Sequence, residues 1–117
     1  MKEIGSYSLS SENSYSKALY ELAEEYKSLG QIEEQSLSII NLISQSEDFH
    51  RLINDPTIKI EDQSKIINEI SNKFNFDELF KKFLNFLISK RRLFYIEKIL
   101  KDFLTISSKM RGEISAK

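Results

Sequence analysis

The chain has 117 residues, of which 40% are apolar, so it has the size and composition of one domain with its own core. It contains no cysteine and no apolar run near the ~20 residues that span a bilayer, which excludes disulfides, thiolate chemistry and membrane insertion and favours a soluble, cytoplasmic domain. Its net charge is only −1, but residues 1–78 carry 7 Lys/Arg against 15 Asp/Glu, whereas residues 79–117 carry 10 against 3.

Helical periodicity of 3.6 residues runs through the whole chain, and three glycines and one proline leave few breakers. We therefore predict an all-α fold. Residues 1–10 are expected to be frayed, and Ser11 followed by Glu12 predicts the start of the first helix. The apolar positions of this helix are Tyr15, Ala18, Leu19, Leu22, Ala23, Tyr26 and Leu29. Gly30 is predicted to end it as a left-handed residue.

The middle of the chain predicts three more helices. The second helix is expected from about Ile32 to the run at residues 46–48, which also begins a short third helix before the turn at Pro56. Acidic residues at 61 and 62 predict the start of the fourth helix, which we expect to end at Asn75. Its apolar line contains Ile66, Ile67, Ile70 and Phe74.

The stretch from residue 77 onwards is the most apolar part of the chain. Asp77 can cap a fifth helix, on which Phe80, Phe83, Leu84, Leu87 and Ile88 share one side, while Leu79 and Phe86 widen the apolar surface. This surface is either fully buried or partly kept for a partner. Apolar periodicity continues to Met110, so a break near residues 90–92 is expected on grounds of length, giving six helices in all.

Residues that could support chemistry are sparse. His50 has no Cys or carboxylate motif beside it, so we interpret it as structural or exposed. Adjacent carboxylates such as Glu24 and Glu25 point about 100° apart on a helix and do not converge on a substrate. The glycines are isolated, so no glycine-rich loop is available to bind a phosphate. We therefore predict no catalytic, metal or cofactor site, and interpret the domain as a helical interaction module. The basic C-terminal part either packs against the acidic N-terminal part, which we favour, or forms a surface that binds nucleic acid or anionic lipid. The triplet at residues 90–92 keeps open an all-α RNA-binding bundle of the antitermination type.

Three stretches resemble the delta subunit of F-type ATP synthases, the oligomycin-sensitivity-conferring protein family. Residues 15–23 (Tyr-Ser-Lys-Ala-Leu-Tyr-Glu-Leu-Ala) are similar to the family's opening helix. Residues 49–58 (Phe-x-x-Leu-Ile-x-x-Pro-x-Ile), followed by Lys65, resemble its central corner. Residues 85–103 resemble its Asn-Phe-Leu, Arg-Leu, Ile, Ile, Phe pattern. The chain has Lys90 and Arg91 where family members often have glycine or asparagine.

The resemblance implies that the chain is the single N-terminal domain of this subunit, a six-helix bundle in the peripheral stalk at the cytoplasmic face of the bacterial inner membrane. It implies a non-catalytic stator that links the catalytic head to the membrane sector, without cofactor or nucleic acid. Residues 112–117 would begin a C-terminal region that contacts the b subunits. The resemblance also implies a groove between the first and fifth helices for the N-terminal helix of an alpha subunit. Its candidate residues are Tyr15, Ala18, Leu22, Phe83, Phe86 and Leu87, each of which could instead belong to the core.

Overall fold

The computed structural model describes residues 11–111. Within them the fold is all-α, with six helices and no strand, which confirms the predicted class. The helices are α1 (Ser11–Glu25), α2 (Leu29–Gln45), α3 (Glu47–Asn54), α4 (Ile60–Lys73), α5 (Glu78–Ser89) and α6 (Ile96–Arg111), with a 3₁₀ turn (Leu93–Tyr95) before α6. The predicted fraying of residues 1–10 and the assignment of residues 112–117 to a further region lie outside the described residues.

Helix α5 packs into the bundle through one side that is entirely apolar. Its buried residues are the five that the periodicity placed on one side: Phe80, Phe83, Leu84, Leu87 and Ile88. Around it, α1 packs most extensively against α6, and α2 also packs against α6. The first and last helices of the domain are therefore direct neighbours.

Helices α1, α4 and α5 all end in a left-handed residue that is not glycine. Lys27, Asn75 and Arg91 have φ values of 55°, 56° and 59°. In each case the next amide donates to a carbonyl five residues earlier, as in Ser28 N to Ala23 O at 2.9 Å. This is the Schellman arrangement, which satisfies carbonyl groups at a helix end.

The prediction that Gly30 ends the first helix is wrong. The chain already turns at Lys27, and Gly30 lies in the first turn of α2, which begins at Leu29. The reason is that Lys27 adopts the left-handed conformation, which its Cβ atom disfavours. The residue type at this position therefore does not predict the end of the helix. As a result, Tyr26 lies outside the helix and is exposed.

Two predicted helix starts are confirmed by their caps. The Ser46 hydroxyl accepts the amide of Phe49 at 3.1 Å at the start of α3, and the Asp77 carboxylate accepts the amide of Leu79 at 3.1 Å at the start of α5. Such side-chain acceptors satisfy amides that have no partner in the first helical turn. The break between the fifth and sixth helices is also confirmed, with Arg91 as its left-handed residue.

The predicted apolar line of α4 is only partly inside the domain. Ile67 is buried, whereas Ile66 and Phe74 are exposed. The helix ends at Lys73, so Phe74 and Asn75 belong to the turn. The buried side of α4 is completed by polar side chains instead, because Gln63 donates to the Leu52 carbonyl at 3.0 Å and Ser71 to the Ile67 carbonyl at 2.8 Å.

Candidate functional site

On α1, the three candidate residues share one side of the helix but differ in exposure. Tyr15 and Leu22 are half-buried, and Ala18 is buried at 9% exposure. Their spacing of three and four residues places them one above another. A partner therefore has access to the Tyr15 and Leu22 side chains.

On α5, one candidate residue is exposed and two are not. Phe86 is 40% exposed, whereas Phe83 is 6% exposed and Leu87 is fully buried. Leu79, which precedes Phe86 by seven residues and so lies on the same side two turns earlier, is half-buried. Phe83 and Leu87 thus belong to the domain's own core, and Phe86 and Leu79 remain at its surface.

The exposed aromatic residues of the two helices meet. The rings of Tyr15 and Phe86 are 6.1 Å apart between centroids and inclined at 71°, an edge-to-face contact. Lys90 lies 5.7 Å from the centroid of the Phe86 ring, within cation–π range. Leu22 on α1 and Leu79 on α5 are also apolar and half-buried, and we use the name α1–α5 groove for these four residues, Tyr15, Leu22, Leu79 and Phe86.

A polar network holds α5 against α4 on the side away from this groove. The Asn85 side chain accepts a hydrogen bond from Ser64 at 2.6 Å and donates to Asn68 and to the Lys81 carbonyl, both at 3.0 Å. Because adjacent residues on a helix point about 100° apart, fixing Asn85 towards α4 also fixes the direction of Phe86. Asn85 is therefore a positioning residue for the α1–α5 groove.

A second apolar cleft, which the sequence interpretation missed, lies between α2, α3 and α4. Its volume is about 430 Å³, and its lining includes Leu42, Ile58, Ile66, Ile70 and Phe74. The signal for it in the sequence is the apolar line of α4, in which the exposed Ile66 and Phe74 accompany the buried Ile67. The cleft accounts for the exposure of Ile66 and Phe74.

The basic triplet at residues 90–92 is used largely within the domain. The Arg91 guanidinium donates to the Ile58 carbonyl at 3.0 Å, and that of Arg92 to the Lys90 carbonyl at 3.2 Å. Both guanidinium groups, which lie at the break between α5 and α6, thus bind main-chain carbonyls.

The titratable residues of the described range include one carboxyl whose pKa is shifted. No cluster of three His, Cys, Asp or Glu residues is placed to hold a metal ion in that range, and His50 is exposed. Asp55 accepts hydrogen bonds from the Thr57 hydroxyl at 2.7 Å and the Thr57 amide at 2.9 Å, which lower the pKa of its carboxyl. Across the same residues, no helix combines the length and apolar character that a membrane crossing requires.

Comparison with known families decides the identity of the bundle. A family model described as the ATP synthase delta (OSCP) subunit matches residues 12–117. The chain belongs to this family. The match includes all three stretches that carried the resemblance and both helices of the α1–α5 groove.

Delta-family relatives are similar over most of the chain. The ATP synthase subunit delta of Pelagibacter ubique (strain HTCC1062) is 52% identical over 99% of this chain and 63% of its own length. The corresponding subunits of Rhodospirillum rubrum and Brucella ovis are 33% and 37% identical, over 88% and 87% of this chain and 55% of their own lengths. The chain thus spans only part of the length of these delta subunits.

A solved structure shares the delta-family fold of this chain. It is a chain of the Toxoplasma gondii mitochondrial ATP synthase hexamer, with a TM-score of 0.77 and 21% identity over 81% of this chain and 53% of the other. At this identity the likeness shows the fold alone.

Proposed function

We propose that this chain is the head-binding, N-terminal domain of an ATP synthase delta subunit. In this role it is a non-catalytic component of the peripheral stalk at the cytoplasmic face of the bacterial inner membrane. It links the catalytic head to the membrane sector, and contacts with the b subunits are made mainly by a C-terminal region of the subunit. Membership of the delta family supports this role.

We place the N-terminal helix of an alpha subunit in the α1–α5 groove. The observation that carries this proposal is the contact between Tyr15 and Phe86, two aromatic residues that the domain leaves partly exposed at the junction of α1 and α5. An amphipathic helix binds such a surface through apolar residues spaced by three and four positions. Of the six predicted groove residues, Tyr15, Leu22 and Phe86 are assigned to direct contact, and the buried Ala18, Phe83 and Leu87 to the support behind them.

The experiment is a calorimetric titration of the chain with a synthetic peptide of the alpha-subunit N-terminal helix. Phe86→Asp removes an apolar anchor and introduces a charge. Full burial of a phenylalanine side chain contributes about 1.5–3 kcal/mol, and Phe86 leaves 40% of its surface for a partner, so we expect affinity to fall by at least about threefold. Phe74→Asp is the matched control. Phe74 is exposed to 45%, close to the 40% of Phe86, but lines the cleft between α2, α3 and α4.

Three results are informative. Loss of affinity in Phe86→Asp alone supports the groove, and loss in Phe74→Asp alone places the helix in the other cleft. If the unmodified chain does not bind the peptide at micromolar concentration, the helix-holding role is rejected.

A further inference from the structure

The α1–α5 groove has walls of opposite charge. On α1, Glu21 and Glu25 are exposed and are neighbours one turn apart. Glu21 immediately precedes Leu22 and Glu25 follows it by three residues, so both flank the apolar side of α1. This wall is acidic.

The opposite wall is basic. Lys82 and Lys90 are both exposed and lie four residues before and four residues after Phe86, so they stand on either side of it along α5. Lys90 also lies 5.7 Å from the centroid of the Phe86 ring. A helix in the groove thus meets carboxylates along one edge and ammonium groups along the other.

These charges are available to a partner. Within residues 11–111, the side chains of Glu21, Glu25 and Lys82 take part in no hydrogen bond or ion pair. The neighbouring Lys81, by contrast, is paired with Glu78 at 3.3 Å on the same helix. Glu21, Glu25 and Lys82 therefore flank the apolar groove residues without a partner in this range.

We infer that the opposite charges of the two walls set the direction in which a helix lies in the α1–α5 groove. This inference rests on the proposed function. The partner is an amphipathic helix whose apolar stripe has basic residues along one flank and acidic residues along the other. Because turning such a helix end for end exchanges its flanks, only one direction brings its basic flank to α1 and its acidic flank to α5. Each correctly placed exposed pair favours that direction by about 1.5- to 5-fold, and several pairs act together.

The test uses two synthetic helices with the same apolar stripe and the same composition. One carries Lys along the first flank and Glu along the second, and the other has the flanks exchanged. Each carries a nitroxide at its N-terminus and is added to the isotope-labelled chain, and line broadening of backbone amides is measured by NMR. Tyr15 and Leu22 are seven residues apart on one helix, about 10 Å, which is enough to distinguish the two ends of the groove.

We expect one peptide to broaden amides near Tyr15 and the other to broaden amides near Leu22. A variant with reversed walls, Glu21→Lys, Glu25→Lys, Lys82→Glu and Lys90→Glu, should exchange the two patterns, and its circular dichroism should match that of the original chain because all four sites are exposed. The preference of each peptide for one direction in the groove should also decline at high salt, since salt screens exposed charges.

The outcomes separate the two proposals. If both peptides bind the groove in the same direction, or if the reversed walls leave the directions unchanged, charge does not set the direction and this inference is overturned, while helix binding stands. If neither peptide perturbs the groove, this inference is overturned, and the titration with the alpha-subunit peptide decides separately whether the proposed function stands. A reversed-wall variant that does not fold leaves the two-peptide comparison and its salt dependence to decide.

Discussion

The Ser16 hydroxyl on α1 donates a hydrogen bond to the main-chain carbonyl of Ile99 on α6, across 2.9 Å in the interior of the bundle. Both residues are fully buried. The bond joins the first and last helices at a distance of 83 residues along the chain. The bond fixes the position of α1 along α6. Tyr15 directly precedes Ser16, so the same bond also helps to fix the position of Tyr15 in the α1–α5 groove.

Replacing this hydroxyl should destabilise the domain modestly. We expect Ser16→Ala to lower the free energy of unfolding by about 0.5–1.5 kcal/mol, the usual net contribution of such a bond. The measurement is urea unfolding followed by circular dichroism. Ser44→Ala on the exposed side of α2, where the hydroxyl makes only a local bond, should change stability by much less. Equal effects of the two changes would contradict a structural role for Ser16.

The Asn85 network should matter for both stability and binding. Asn85→Ala removes the bonds to Ser64, Asn68 and the Lys81 carbonyl, and we expect a loss of about 1–3 kcal/mol in urea unfolding. Because the Asn85 side chain then no longer ties α5 to α4, the Phe86 side chain should be held less firmly, and peptide affinity of the folded fraction should also fall. Asn41→Ala, at an exposed position of α2, is the control for both measurements. Unchanged affinity in a folded Asn85→Ala chain would argue against its role in placing Phe86.

Gly30→Ala should stabilise the domain. Gly30 lies inside the first turn of α2, and no atom outside its immediate surroundings lies within 4 Å of where a Cβ atom would be. Alanine is the better helix former by up to about 1 kcal/mol, so we expect a gain of about 0.5 kcal/mol. The check is the thermal midpoint. A decrease would indicate that Gly30 is the left-handed residue after all.

Lys27→Gly should also stabilise the domain, because here the backbone has the left-handed conformation that glycine adopts without strain. A non-glycine residue in the left-handed conformation costs about 1–2 kcal/mol, and part of this gain is offset by the greater flexibility of glycine in the unfolded chain. We expect a net gain of about 0.5–1 kcal/mol in denaturant unfolding. Asn75→Gly should give a smaller gain, because asparagine tolerates this conformation. Equal gains at both sites would contradict this account.

Thr57→Val should raise the pKa of Asp55, because it removes the hydroxyl that contributes most to lowering it. A carboxyl whose pKa is lower in the folded state contributes stability above its unfolded pKa and loses it as the pH falls through the folded value. Acid should therefore reduce the stability of the original chain more than that of Thr57→Val. NMR titration of the Asp55 carboxyl is the measurement, and an unchanged pKa would refute the assignment to Thr57.

Features with a local physical cause were predictable from the sequence. The caps Ser46 and Asp77 follow from residue type and position, and the buried side of α5 follows from its apolar spacing. The left-handed turn at Lys27 was not predictable, since packing of the surrounding helices imposes a conformation that lysine itself disfavours.

The candidate site also has one part that the sequence predicts and one part that it does not. Periodicity placed Phe83, Phe86 and Leu87 on neighbouring positions of one apolar surface, but it cannot say which of them other helices cover. Burial of Phe83 and exposure of Phe86 depend on where α1 and α4 pack against α5. The exposed Ile66 and Phe74 show the same limit on α4.

The pairing of α1 with α6 has a consequence for synthesis on the ribosome. Among the helices of the bundle, α1 leaves the exit tunnel before the others, yet its main packing partner α6 is translated after all of them, and a 15-residue helix alone is only marginally stable in water. Neighbouring pairs such as α4 and α5 can form while translation continues, because they need only short loops to close. Nascent α1 therefore waits for α6, and the groove that depends on it is completed only after the last helix of the bundle has emerged.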